Sequence, residues 1–214
     1  LLFRLAYKGT RYGGFQVQPN APTVCAAFQD ALQAVTGTRP DVKGCSRTDA
    51  GVHAIAQYVS VPVTEAELGL PGERLMRSLV ALTPDDLSVQ AILRAPAGFS
   101  ARFDAISRSY RYRIAASQAR PVLAWEHSWW YRGALDVDAM AEAARPLLGE
   151  HDFKSFCKAS SAEGKPTSRY VGALDVSRVR EAGEELVAID VTGNAFLHNM
   201  VRTIAGSLVE VGRG

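Results

Sequence analysis

Leu1-Leu2-Phe3-Arg4-Leu5-Ala6-Tyr7 opens the chain, and Thr23-Val24-Cys25-Ala26-Ala27-Phe28-Gln29-Asp30-Ala31-Leu32-Gln33-Ala34-Val35-Thr36-Gly37 follows after a short connection. In the first stretch Phe3, Leu5 and Tyr7 alternate, which puts them on one face of a strand. In the second, Val24, Ala27, Phe28, Ala31, Leu32 and Val35 recur at helical spacing, with Thr23 fit to cap the helix and Gly37 to end it. Working outward, residues 41–45 and 56–63 predict two more strands flanking a loop that contains Arg47-Thr48-Asp49-Ala50-Gly51. Residues 75–82 predict a second helix that stops before Thr83-Pro84, and 87–93 a fourth strand. Strand, helix, strand, strand, helix, strand is a ferredoxin-like order.

The second half repeats much of that plan. Residues 128–132 read as its opening strand, and Asp136 or Asp138 can cap a helix over 140–148. Pro146 argues against that helix continuing, since proline removes a hydrogen bond and clashes with the previous turn. Residues 172–180 and 185–192 read as paired strands around the turn Glu181-Ala182-Gly183-Glu184, followed by a helix over 196–211. A last strand is missing. The expectation is an α+β fold with two ferredoxin-like, RRM-like halves, a mostly antiparallel sheet flanked by helices, and a cleft between the halves. Residues 1–104 form the first subdomain and 105–214 the second, incomplete at its C-terminal end.

With 47% hydrophobic and 21% charged residues among 214, the composition is that of an ordinary globular chain. No apolar run is long enough to cross a bilayer and no signal peptide is visible, so a soluble, cytoplasmic protein is expected. The chain begins at Leu1 rather than Met, which leaves room for residues upstream. Cys25, Cys45 and Cys157 are too few and too scattered for a paired disulfide framework or a zinc site, and His53, His127, His151 and His198 are equally dispersed. No metal is expected. The net charge is only +2, yet residues 101–120 hold Arg102, Arg108, Arg111, Arg113 and Arg120 against Asp104 alone. Such local basic charge suits phosphate binding, although a solvated face would read the same way.

Three segments carry chemistry. In Cys45-Ser46-Arg47-Thr48-Asp49-Ala50-Gly51-Val52-His53-Ala54, a loop between strands can project Asp49 into a cleft, with Arg47 favouring its ionised form. By itself, Arg-x-Asp before Gly more commonly marks a surface turn. In Arg108-Ser109-Tyr110-Arg111-Tyr112-Arg113, a strand would put the tyrosines on one face and Arg111 and Arg113 on the other. Bases stack on such rings and phosphates pair with such guanidinium groups, while a half-buried edge strand is the alternative. In residues 194–204, Phe196, Met200, Thr203 and Ile204 fit an inward helical stripe. Arg202 then lies in apolar surroundings, where a charge needs a carboxylate partner.

Taken together and in this order, these segments resemble the TruA family of tRNA pseudouridine synthases. The resemblance covers nearly the whole chain. It includes Tyr7-x-Gly9, Tyr12-x-Gly14-Phe15-Gln16, the RTDAGVHA block, Ala101-Arg102-Phe103, Arg108-x-Tyr110-Arg111-Tyr112, Gly149-x-His151-Asp152-Phe153-x-Ser155-Phe156, and residues 194–208. It implies that Asp49 is the nucleophile, that Tyr110 stacks on the target uracil, that Arg47 takes part in base flipping, and that Arg202 pairs with Asp49. The implied reaction detaches uracil from ribose C1′, turns it, and rejoins it through C5, at positions 38 to 40 of the tRNA anticodon arm. No cofactor is required, the partner is tRNA, and the assembly is a homodimer. Attack at C1′ and elimination at the sugar both fit.

The chain departs from the family pattern at Lys8, Phe15, Ser46 and residues 80–84, and the family continues past Gly214 with a helix and a closing strand. Two other functions compete: a non-catalytic RNA-binding protein, which needs nothing special at Asp49, and a nucleoside or glycoside hydrolase, which needs a second carboxylate such as Asp104 or Asp152.

Overall fold

A computed structural model describes the backbone of residues 1–214 and every side chain except those of Glu65, Leu68 and Ser161. The chain divides into two compact units, Leu1–Ala105 and Ile106–Gly214.

In the first unit, β1 (Leu2–Tyr7) turns Phe3, Leu5 and Tyr7 inward, and α1 (Val24–Thr36) packs Phe28 and Leu32 against them. The Phe3 and Phe28 rings meet edge-on with centroids 5.2 Å apart. The Thr23 hydroxyl accepts from the Ala26 amide and so caps α1, satisfying one of the donors a helix start leaves open. After β2 (Lys43–Gly44) and β3 (Ala54–Ser60) come the single-turn helix α2 (Glu65–Leu68), then α3 (Gly72–Leu82) and β4 (Leu87–Leu93). The sheet order is β2-β3-β1-β4 with every neighbouring pair antiparallel. That is the ferredoxin-like arrangement expected. Strand β2 is shorter than the 41–45 expected, because pairing with β3 covers only Lys43 and Gly44.

The second unit opens on β5 (Arg108–Ala116), so the expectation that 128–132 opens it is corrected. Nine residues with alternating Tyr110, Tyr112 and Ile114 give β5 a full apolar edge to pair, whereas β6 (Trp129–Tyr131) has only three. Next come α4 (Val137–Ala144), β7 (Gly149–Asp152), α5 (Ala159–Ala162), β8 (Ser168–Glu181), β9 (Glu184–Gly193) and α6 (Met200–Gly212). The Asp136 carboxylate caps α4 by accepting from the Ala139 amide. That helix stops at Ala144, and Pro146 falls in the 3₁₀ turn Arg145–Leu147, which answers the proline objection. Strand β7 escaped the sequence because Gly, Glu, His and Asp carry no apolar period.

The sheet order is β6-β5-β9-β8-β7. Its β8-β9-β5 core matches β2-β3-β1 of the first unit. Beside the opening strand, where the first unit has antiparallel β4, the second has β6 running parallel to β5. Met140 of α4 and Ile204 and Leu208 of α6 pack with Ile114, Ile189 and Val191 on one sheet face. The β8–β9 turn places Ala182 and Gly183 both at positive φ, as in the type I′ turn that two-residue hairpins of right-twisted strands favour.

Candidate active site

The connection between β2 and β3 carries Asp49 half-buried and Arg47 exposed. Its path is set by bonds from the segment that follows β1. The Phe15 amide donates to the Thr48 carbonyl at 3.0 Å, and the Gly51 amide to the Tyr12 carbonyl at 3.3 Å. The Tyr7 and Thr48 hydroxyls bond at 2.8 Å, and the Gly9 amide donates to His53 Nδ1 at 3.0 Å. That last bond requires an unprotonated Nδ1, so the imidazole is in its neutral Nε2–H form. A Cβ on Gly9 would overlap the Val52 carbonyl, and glycine alone permits that approach. Within the loop, the Val52 amide donates to the Asp49 carbonyl at 3.2 Å, closing a turn around Gly51.

The clamping segment is itself anchored by Asp86, just before β4. Its carboxylate accepts from Tyr12 Oη at 2.7 Å and from Arg11 Nε at 2.8 Å. The Arg11 hydrogen bond is the main cause holding the Asp86 carboxyl below its ordinary range. Burial, reinforced by Asp86, pushes the Tyr12 phenol well above its ordinary value.

In the second unit Tyr110 lies on β5 opposite Val191 of β9 and meets the Phe196 ring edge-on at 5.1 Å. Phe196 belongs to the loop between β9 and α6, not to the helix as expected. Asn194 fixes that loop: its Oδ1 accepts from the Tyr170 amide at 3.1 Å, and its carbonyl accepts from Arg108 at 2.7 Å. On the other face of β5, Arg111 makes a two-pronged bond to Asp190 at 2.7 and 2.8 Å, while Arg113 reaches Glu181 at 2.6 Å. Hydrogen bonding to Asp190 raises the Arg111 pKa. A phosphate approaching either arginine must compete with these carboxylates.

A model of the tRNA pseudouridine synthase family matches residues 143–214. The tRNA pseudouridine synthase A of Caldicellulosiruptor bescii is 37% identical over 214 residues, covering 100% of this chain and 84% of the relative. The chain belongs to the tRNA pseudouridine synthase A family. The synthase A of Rhodopseudomonas palustris is 41% identical over 211 residues, with 98% of this chain and 82% of the relative aligned. That of Geobacter sp. strain M21 is 40% identical over 210 residues, again with 98% and 82% covered.

In this synthase A family member, Asp49 and Arg47 share one loop, and Tyr110 lies on β5. Arg202 is exposed on α6, whose buried stripe is Met200, Ile204, Ala205, Leu208 and Val209. Two residues past Met200 a helix has turned about 200°, so Arg202 points away from that stripe. The expectation of an apolar environment for its charge is corrected, and its pairing with Asp49 rests on the resemblance alone. Asp104 and Asp152 accept from the Ser100 and Lys154 amides and so close local turns. Among the described residues no group of His, Cys, Asp and Glu is placed to hold a metal ion, and no helix is long and apolar enough to cross a membrane. The sequence reading missed Tyr7, His53, Asp86, Asn194 and Phe196 as site-building residues. All but Asp86 stood inside segments that carry the family resemblance, and nothing in periodicity marked Asp86.

Proposed function

We propose that the protein isomerises uridine to pseudouridine in tRNA with Asp49 as the nucleophile. Membership of the synthase A family supports the reaction. The clamped loop supports the residue: bonds to Thr48, Gly51 and His53 hold the backbone on either side of the half-buried Asp49 before substrate arrives. Such preorganisation is what a nucleophile needs.

The C1′–N1 bond of uridine breaks, the base turns, and a C1′–C5 bond forms. The C5 proton leaves and N1 takes one up, so atoms and electrons balance without an oxidant or a hydrolytic water. A lone carboxylate suffices where a glycoside hydrolase uses two. The uridine must leave its stack to be reached, which gives Tyr110 its role as a platform against the flipped base and Arg47, exposed beside Asp49, its role in extrusion. In this reading Arg202 pairs with Asp49 and holds it ionised. The substrate uridines are those at positions 38 to 40 of the anticodon arm, and the enzyme works in the cytoplasm as a homodimer.

Incubating the full-length protein with unmodified tRNA, followed by position-resolved detection of pseudouridine, tests the reading. New pseudouridine within positions 38 to 40 is the expected result. Pseudouridine at other positions would correct the target, and its absence from every tRNA offered would overturn the function.

A further inference from the structure

We propose that Gln57 is a positioning residue for Asp49, an inference that rests on reading Asp49 as the nucleophile. Gln57 stands on β3 opposite Leu5 of β1, in phase with Val59, and is 3% exposed. Its Nε2 donates to the Ser46 carbonyl at 2.6 Å, and its Oε1 accepts from the Cys45 thiol at 2.9 Å. An amide in an apolar core is costly unless both its halves are bonded. Here both halves address Cys45 and Ser46, the residues that lead into Arg47, Thr48 and Asp49.

The bonds from Tyr7, Gly9, Tyr12 and Phe15 hold the middle and far end of the loop. The near end is held from β3, by the Cys45 amide donating to the Tyr58 carbonyl at 2.8 Å and by Gln57. Only a side chain that donates and accepts from one planar head serves both contacts. Methionine would fill the same volume and leave the Ser46 carbonyl without this donor. A charged glutamate would set an oxygen against that carbonyl, whereas a protonated glutamate has the amide's own donor and acceptor. Gln57 therefore acts on the reaction through the path of the loop.

Steady-state tRNA pseudouridylation by the full-length protein, with Gln57→Met, Gln57→Glu and Asp49→Asn compared with wild type, tests this. Gln57→Met is expected to lower kcat by about 10²-fold, the effect of a misplaced reacting group, with KM for tRNA little changed. Gln57→Glu, normalised to wild type at each pH, is expected to recover as pH falls, because burial favours the neutral carboxyl. A merely structural role would lower the melting temperature and leave kcat per folded enzyme at the wild-type value at every pH. Wild-type kcat in Gln57→Met, or a Gln57→Glu deficit that is flat with pH, would overturn the proposal. Should Gln57→Met fail to fold, the Gln57→Glu profile decides. An inactive Asp49→Asn beside a fully active Gln57→Met removes the positioning role alone. Turnover by Asp49→Asn removes the nucleophile and the positioning role with it.

Discussion

At the residue scale, Tyr110 offers a ring and a hydroxyl, and the two separate experimentally. Its ring packs edge-on against Phe196, so Tyr110→Phe keeps that contact and any stacking on a base. If the hydroxyl helps move the C5 proton, Tyr110→Phe loses about 10²-fold or more in kcat with tRNA affinity intact, and Tyr110→Leu weakens binding as well. Equal activity in all three enzymes would make Tyr110 a packing residue. Gln57 shows where single residues defeat sequence reading. Its spacing from Val59 and Val61 points inward, but its amide suggests solvent, and only the loop returning over it resolves the conflict. Arg202 is the opposite case. Counting the apolar neighbours in sequence hid the fact that it projects from the far side of the helix.

At the scale of elements, β1, α1 and β4 were legible almost to the residue, because alternation or helical spacing was uninterrupted and a cap or proline marked the ends. Strand β7 and the short β2 were not, since their pairing is decided by β8 and β3 rather than by their own composition. The Asp86 anchor joins the clamping segment to β4, and its carboxyl is held low chiefly by the Arg11 bond. A depressed folded pKa contributes stability that is present above the unfolded value near 4 and is lost as pH falls through the folded one. Asp86→Asn is therefore expected to be less stable than wild type at neutral pH and to lose less on acidification below pH ~4, measured by urea unfolding. Parallel curves would separate Asp86 from acid sensitivity. In the β8–β9 turn Ala182 holds positive φ, so Ala182→Gly is expected to cost nothing and to stabilise by up to ~1 kcal/mol. A fall in melting temperature would contradict this.

For the whole molecule, net charge is +2, so tRNA binding must draw on local groups. Arg111 and Arg113 stand with Asp190 and Glu181 in a cluster of balanced charge. Replacing either arginine with Ala is expected to leave the salt dependence of tRNA affinity almost unchanged. A slope reduced by about one would show that the arginine exchanges its carboxylate for a phosphate. The two-unit plan was visible in the order of elements, but the parallel β6 beside β5 was not, because three residues carry too little pattern to declare a partner. In the proposed reaction a clamped Asp49 is the nucleophile. The most direct test of that role is single-turnover pseudouridine formation by Asp49→Asn, with tRNA affinity measured on the same preparation. No product and an affinity within a few-fold of wild type are expected, since the amide keeps the shape and loses the nucleophile. Product formed at a rate near that of wild type would contradict it.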